Sequence, residues 1–211
     1  MARNRHPEET VNLILDVAFR LFMEKGYEHT SIQDIINNLG GLSKGAIYHH
    51  FKSKEDILDA MIDRMTGRML EKAGEIAAEK DVPVLRRLTT MMLALNVNSS
   101  LGLEIMEQVH KPQNALMHQK MQSRLLAGVN PLITGLIREG IEQGICKTEY
   151  PAEVAEMTLL YSNTVFDALA EHSEEERTRK TEAFIYNLER LLGMERGSME
   201  AVILPIFQQG R

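Results

Sequence analysis

Between Ser43 and Lys54 the chain reads Ser43-Lys44-Gly45-Ala46-Ile47-Tyr48-His49-His50-Phe51-Lys52-Ser53-Lys54, with three lysines, two histidines, a tyrosine and no acid. These groups donate hydrogen bonds and carry positive charge, so the chemistry they suit is contact with acceptors on an anionic surface. Only Ile47 and Phe51 are large and apolar here, four residues apart, enough for one buried edge of a short helix. A small helix with one buried edge and a basic exposed end is what the major groove of DNA accepts. Lys44, at the start of that helix, has the reach to donate to guanine O6 or N7. Gly45 and Ala46 matter by smallness, since they let the backbone approach base edges and let the Ala46 methyl touch a thymine methyl. His49 is placed to meet a base or a phosphate. A solvated helix face is the plainer alternative, and the surrounding pattern argues against it.

The elements that must position this helix are legible on both sides. Thr30 is read as the cap of a preceding helix, with Gln33 three residues on to complete a capping box. Ile32, Ile35, Ile36 and Leu39 give that helix one apolar face over about ten residues, until Gly40 and Gly41 supply a turn. Ser43 caps the basic helix, and Ser53 with Asp56 opens another. Thr30 and Ser31 then sit where a helix N-terminus and hydroxyls clamp a backbone phosphate. Upstream, Pro7 starts a helix with Val11, Ile14, Leu15, Ala18, Leu21 and Phe22 as its stripe, stopped at Gly26. Arg3 and Arg5 precede it in a basic tail, read as solvated or as a minor-groove arm.

Over roughly Glu8 to Met61 the sequence resembles the N-terminal domain of the TetR family of transcriptional regulators. The matching residues are the helix PEETVNLILDVAFRLFMEKGYEHTS, which ends in the pattern F-x-x-x-G-[YF]-x-x-T-[ST], and then S-K-G-x-[IL]-Y-x-[HY]-F-x-[SN]-K-E. One departure is the turn Leu39-Gly40-Gly41-Leu42-Ser43, a residue longer than the common A-G-V-S form. The resemblance implies phosphate contacts for Tyr48, His50 and Lys54. It also implies a larger helical C-terminal domain with a ligand cavity, and a dimer built from its last two long helices.

Composition agrees with an all-α chain: 44% of its 211 residues are hydrophobic, only 5% aromatic, and none is Trp. The net charge of −6 opposes DNA binding until it is divided along the chain. Up to Lys54 there are seven Lys/Arg and six Asp/Glu, a balance of +1, so the remainder carries −7. A weakly positive head on an acidic body orients the molecule, because local charges count within a Debye length of about 8 to 10 Å. The one cysteine, Cys146, excludes an intrachain disulfide and Cys-rich zinc frameworks. No apolar run approaches the about 18 residues needed to span a bilayer, and a cytoplasmic protein is expected. G-x-S-x-G, H-E-x-x-H and P-loop patterns are missing, and His110 and His118 are too far apart for a helical metal pair. Neither catalytic residues nor a cofactor or metal is expected.

Beyond about Lys80 the pattern stays helical. Pro83 starts a helix with Leu85, Leu88, Met92 and Leu95 inward, and Leu101 to His110 forms a short one. A long pattern from Asn114 to Gly144 should kink or break near Gly128 to Pro131. Two more helices follow, to about His172 and from Glu174 to Met194, and the tail around Ala201 to Phe207 is apolar enough to pack on something. Eight of the thirteen methionines lie between residues 61 and 121. Thioethers adapt to irregular apolar ligands, so Met61, Met65, Met92, Met106 and Met121 are candidate pocket residues, with core filling as the plain alternative. Glu104 and Glu107, near Met106, favour a cationic ligand only if they are not simply solvated. In the last two helices Val154, Met157, Tyr161, Val165, Ala168, Phe184, Leu188 and Leu191 offer more apolar surface than one core face needs. They are the expected dimer interface.

The reading is therefore an all-α protein with a helix-turn-helix DNA-binding domain over residues 1–53 and a regulatory domain over 54–211 for ligand binding and dimerisation. It is expected to act as a homodimeric repressor on a pseudo-palindromic operator in double-stranded DNA, released by a small, largely apolar effector, with no membrane partner. A DNA-binding regulator without an effector, and a helical enzyme or ligand-binding protein, are the alternatives.

Overall fold

The structure is a computed structural model that describes residues 7–42, 44–96, 108–109, 111–167 and 173–202, with side chains omitted for 93–96 and 163–167. Expectations for Arg3, Arg5, Ser43, Glu104, Met106, Glu107, His110, Ala168, His172, the Val165 side chain and the tail from 203 fall outside that set. All described elements are helical: α1 Pro7–Lys25, α2 Ile32–Asn37, α3 Lys44–His50, α4 Lys54–Ala78, α5 Val84–Asn96, a 3-10 turn Pro112–Asn114, α6 Ala115–Glu142, α7 Pro151–Asp167 and α8 Glu174–Leu191.

The ends of these helices follow from local chemistry. α1 has Glu8 and Glu9 at the positive end of its dipole and Lys25 at the negative end. Gly26 ends it in the left-handed region, φ 89°, with its N–H returned to the Phe22 carbonyl at 2.9 Å. α8 starts at Ser173, whose hydroxyl accepts from the Glu176 amide in a full capping box. Two expectations change. α2 has six residues, not about ten, because it is capped one residue later and unwinds at Asn38 ahead of the glycine turn. α6 runs unbroken through Pro131. Pro131 and Ala127, the residue whose carbonyl it leaves without an N–H, are both exposed, so water can take the lost bond. Gly128 serves close packing instead: a Cβ there would stand 2.5 Å from a Leu70 methyl.

The chain divides into two compact units. Unit one comprises residues 1–68 and 98–124; unit two comprises 69–97 and 125–211. The long helix α4 contributes to both, up to Arg68 to the first and from Met69 to the second. Buried in unit one are Ile14, Leu21, Phe22, Ile35, Leu39, Ile47, Phe51, Leu58, Met61 and Met117. Arg64 pairs with Asp16 at 2.8 Å, and Arg124 with Asp63 at 2.8 Å. Unit two has its own core, built on Ala73, Leu88, Met91, Ile133, Leu136, Ile137, Val154, Leu159, Leu188 and Leu192.

Unit two also buries charge. Arg87, 1% exposed, donates to the Val82 and Ala77 carbonyls at 2.9 and 2.8 Å and pairs with Glu139, which also accepts from Lys80 at 2.6 Å. Those two cations hold the Glu139 carboxyl below its usual range, Lys80 contributing most. Glu189, 2% exposed, spends both oxygens on the Gly197 and Met199 amides, each at 2.8 Å. Among the described residues no helix is long and apolar enough to cross a membrane.

Candidate nucleic-acid interface

The turn between α2 and α3 is built for its path. Gly40 and Gly41 have φ of 61° and 101°, values that residues with a Cβ rarely adopt, and nothing crowds either position. The extra residue in this turn is thus absorbed by two left-handed glycines. α3 then seats Ile47, wholly buried, and Phe51 just past its end, whose amide returns to the Ile47 carbonyl at 2.8 Å. Lys44, Gly45, Tyr48 and His49 are exposed, and Ala46 and His50 are partly so. The Lys44 ammonium stands 5.7 Å from the centre of the Tyr48 ring one turn on, and the His49 and His50 rings meet edge to face at 5.1 Å. Asp56, in the first turn of α4, accepts from the Lys52 amide at 2.9 Å and donates its own amide to the Ser53 cap at 3.0 Å. Those bonds, the Lys52 amide first, lower its pKa.

Two expected phosphate contacts need correction. Thr30 is not the cap of α2: it is 1% exposed, and its hydroxyl donates to the Gly26 and Leu21 carbonyls at 2.8 and 3.3 Å. It closes the turn inside the protein and offers nothing to a phosphate. Ser31 is the cap, its Oγ accepting from the Asp34 amide at 3.1 Å while Asp34 accepts from the Ser31 amide at 2.8 Å. The box holds the Asp34 carboxyl down at about 2, with Ser31's side-chain bond as the largest cause. A phosphate at Ser31 would therefore meet a carboxylate. Lys54 has a structural role as well: its ammonium donates one hydrogen bond to the Tyr27 carbonyl at 2.8 Å and sits 4.1 Å from the centre of the Tyr27 ring.

The candidate pocket methionines are distributed over both units. Met61 and Met121 are buried in unit one, which also holds the partly exposed Met65, whereas Met92 belongs to the core of unit two. The expected dimer face is divided by depth. Val154 and Leu188, 4% and 3% exposed, lie in the unit-two core, because the apolar stripe is wide enough to serve two surfaces and these positions face inward. Met157, Tyr161 and Leu191 are exposed, joined by Leu160 and Tyr186. Phe184, partly exposed, stacks on Tyr161 with ring centres 5.5 Å apart and planes within 4°. Met157, Tyr161, Phe184 and Leu191 line a groove of about 430 Å³.

Some consequential residues carry no local signal in the sequence. Asn114, wholly buried, accepts from the Tyr27 amide at 2.8 Å across 87 residues. Lys120 bridges Glu55 and Asp59 on α4, each at 2.8 Å, and those acids, Asp59 foremost, raise its pKa. The lysine between two acids four apart on α4 is visible only once α4 and α6 are known to be neighbours.

Comparison with known proteins agrees with this geometry. Residues 14–61 match the family described as bacterial regulatory proteins, tetR family, and residues 95–186 match the one described as tetracyclin repressor-like, C-terminal domain. The fatty acid metabolism regulator protein of Bacillus subtilis (strain 168) is 27% identical over 137 residues, 64% of this chain and 69% of that protein. The HTH-type transcriptional repressor KstR2 of Rhodococcus jostii (strain RHA1) is 28% identical over 145 residues, 67% of this chain and 70% of that one. In fold the chain is similar to the fatty acid degradation regulator FadR from Bacillus halodurans, with a TM-score of 0.58 and 21% identity over 90% of this chain and 96% of the other. Two family matches, head and body in the right order and together spanning well over half of the residues, show that this chain belongs to the TetR family of DNA-binding transcriptional regulators and is related to regulators of fatty acid metabolism.

Proposed function

We propose that this protein is a homodimeric repressor whose two copies of α3 enter successive major grooves of a pseudo-palindromic operator, and that a small, largely apolar effector releases it. The observation that carries this reading is the division of α3 into one wholly buried side chain, Ile47, and an outward set of Lys44, Gly45, Tyr48 and His49. A seven-residue helix is about 10 Å long, which matches a groove about 12 Å wide. Lys44 and the small residues Gly45 and Ala46 meet base edges, while Tyr48 and His50 meet phosphates and His49 either. Residues 1–53 form the reading head in this view, and 54–211 the regulatory part.

One such helix reads only a few base pairs, so specificity asks for two, about 34 to 36 Å apart. The exposed Met157, Leu160, Tyr161 and Leu191 supply an apolar face for pairing with a second copy. An effector carrying an acyl chain is supported by the relatives named for fatty acid metabolism and degradation. Coupling of about 2 kcal/mol between effector and operator would change operator affinity roughly thirtyfold. The test is capture of genomic fragments by the purified protein at physiological salt, followed by titration of the bound fragments with acyl-coenzyme A of several chain lengths. Enrichment of an inverted repeat and its release by one range of chain lengths is expected. Sequence-blind binding would remove the operator reading, and a repeat that no acyl compound releases would remove the effector class.

A further inference from the structure

The turn between α1 and α2 is held by bonds from three directions. The Gly26 carbonyl accepts from the Thr30 hydroxyl at 2.8 Å, and the Tyr27 carbonyl accepts from Lys54 at 2.8 Å and from the Thr30 amide at 3.2 Å. The next amide, that of Tyr27, commonly bonds back to the helix's own carbonyls at a left-handed stop. Here it goes to Oδ1 of Asn114 at 2.8 Å. Asn114 has no exposed surface, and its Nδ2 donates to the Gln108 carbonyl at 2.9 Å while its backbone amide donates to Lys111 at 2.8 Å. Both ends of the side-chain amide are thus spoken for, which fixes its orientation. Beside it the Gln113 side chain lies on Gly26, so closely that a Cβ there would stand 2.4 Å from Gln113 Cγ.

We infer that Asn114 is a positioning residue for operator binding: without touching DNA it holds the Tyr27 amide, and so fixes the turn from which Ser31 launches α2 and, beyond it, α3. This rests on the reading of α3 as the recognition helix. A buried amide needs a partner, and an apolar side chain at 114 would leave the Tyr27 N–H without one, while the Gln108 carbonyl would keep only the Lys111 amide, at 3.2 Å. The turn would then shift toward water, and the approach of α2 and α3 would no longer be single-valued. Lys120, bridging Glu55 and Asp59, ties this part of α6 to α4 independently. Losing the Asn114 side chain therefore loosens the turn before it loosens the helix.

The test uses the full chain with Asn114→Ala, operator affinity across a salt series, and amide exchange resolved to Tyr27. Expected are cooperative unfolding as in the wild type, faster exchange at Tyr27, and operator affinity about tenfold weaker. The log–log salt slope should not change, because no phosphate contact is removed. Wild-type affinity despite faster exchange at Tyr27 would overturn the inference, and so would a loss that merely tracks the fraction of unfolded protein. Should Asn114→Ala fail to fold, Gln113→Ala decides: it removes only the side chain seated on Gly26, and a loss of roughly two- to threefold is expected. Unchanged binding by that variant would overturn the inference. A wild-type chain with no preference for an operator would remove the reading of α3 and this inference with it, whereas the variant results remove the inference alone.

Discussion

α3 and the outer face of α7 and α8 both present side chains that burial does not explain, and they differ in kind. On α3 the exposed residues are Lys44, Gly45, Tyr48 and His49, with one lysine and no acid, above a single buried isoleucine. On α7 and α8 they are large and apolar, Met157, Leu160, Tyr161 and Leu191, above a core that already has Val154 and Leu188. A cationic face seeks a polyanion and weakens with salt; an apolar face seeks another apolar face and is nearly indifferent to salt. The partners proposed for the two surfaces are therefore separable, and variants should affect them separately.

The largest expected effect comes from the apolar face. Tyr161→Asp puts a charge into the Tyr161–Phe184 stack, and should give monomers of intact helicity whose operator affinity falls about a hundredfold or more. Sedimentation and circular dichroism check this; persistent dimers would take Tyr161 out of the interface. Lys44→Ala should leave the dimer intact, cost about 1 to 3 kcal/mol of operator binding and relax base preference at one position of each half-site. Lys54→Ala sharpens the comparison from inside the head, since it removes the bond to Tyr27 and the contact with its ring. Thermal unfolding should show a loss of about 1 to 2 kcal/mol, with DNA binding weakened at every sequence alike.

The smallest effect is at the α2 cap, where Ser31→Ala should cost about 1 kcal/mol of stability. Its acid dependence has a definite sign. Asp34 is held at about 2 against an ordinary 3.8, so the unfolded chain takes up its proton first. The contribution is complete above about pH 4 and is lost as pH falls toward 2. Acid titration of the wild type and of Asp34→Asn should differ in that window and coincide below it.

Much of the fold was legible because helix ends are local. Ser53 with Asp56, Pro7, Gly26, Pro83 and Pro151 each act within four residues of where they stand. The failures are places where a distant residue chose between local equals. Thr30 and Ser31 are adjacent hydroxyls, each followed three residues later by a side chain able to close a capping box. The Gly26 and Leu21 carbonyls took Thr30, leaving the cap to Ser31. The bond from Lys54 to Tyr27 spans 27 residues and that between Asn114 and Tyr27 spans 87, so neither shows in a local pattern. Periodicity identified the apolar stripe of α7 and α8 but not which half of it was already covered. The acid-free run on α3 needed no distant information, which is why that helix was the clearest part of the candidate interface.

The most direct measurement is selection from a pool of random duplexes, run in parallel with the wild type and Lys44→Ala at physiological salt. An inverted repeat for the wild type is expected, with half-site centres about one helical turn apart or a multiple of it. In the Lys44→Ala pool the same repeat should return with one base pair in each half-site degenerate. An identical motif from both proteins, or no motif from either, would contradict the assignment of α3 as the element that reads DNA.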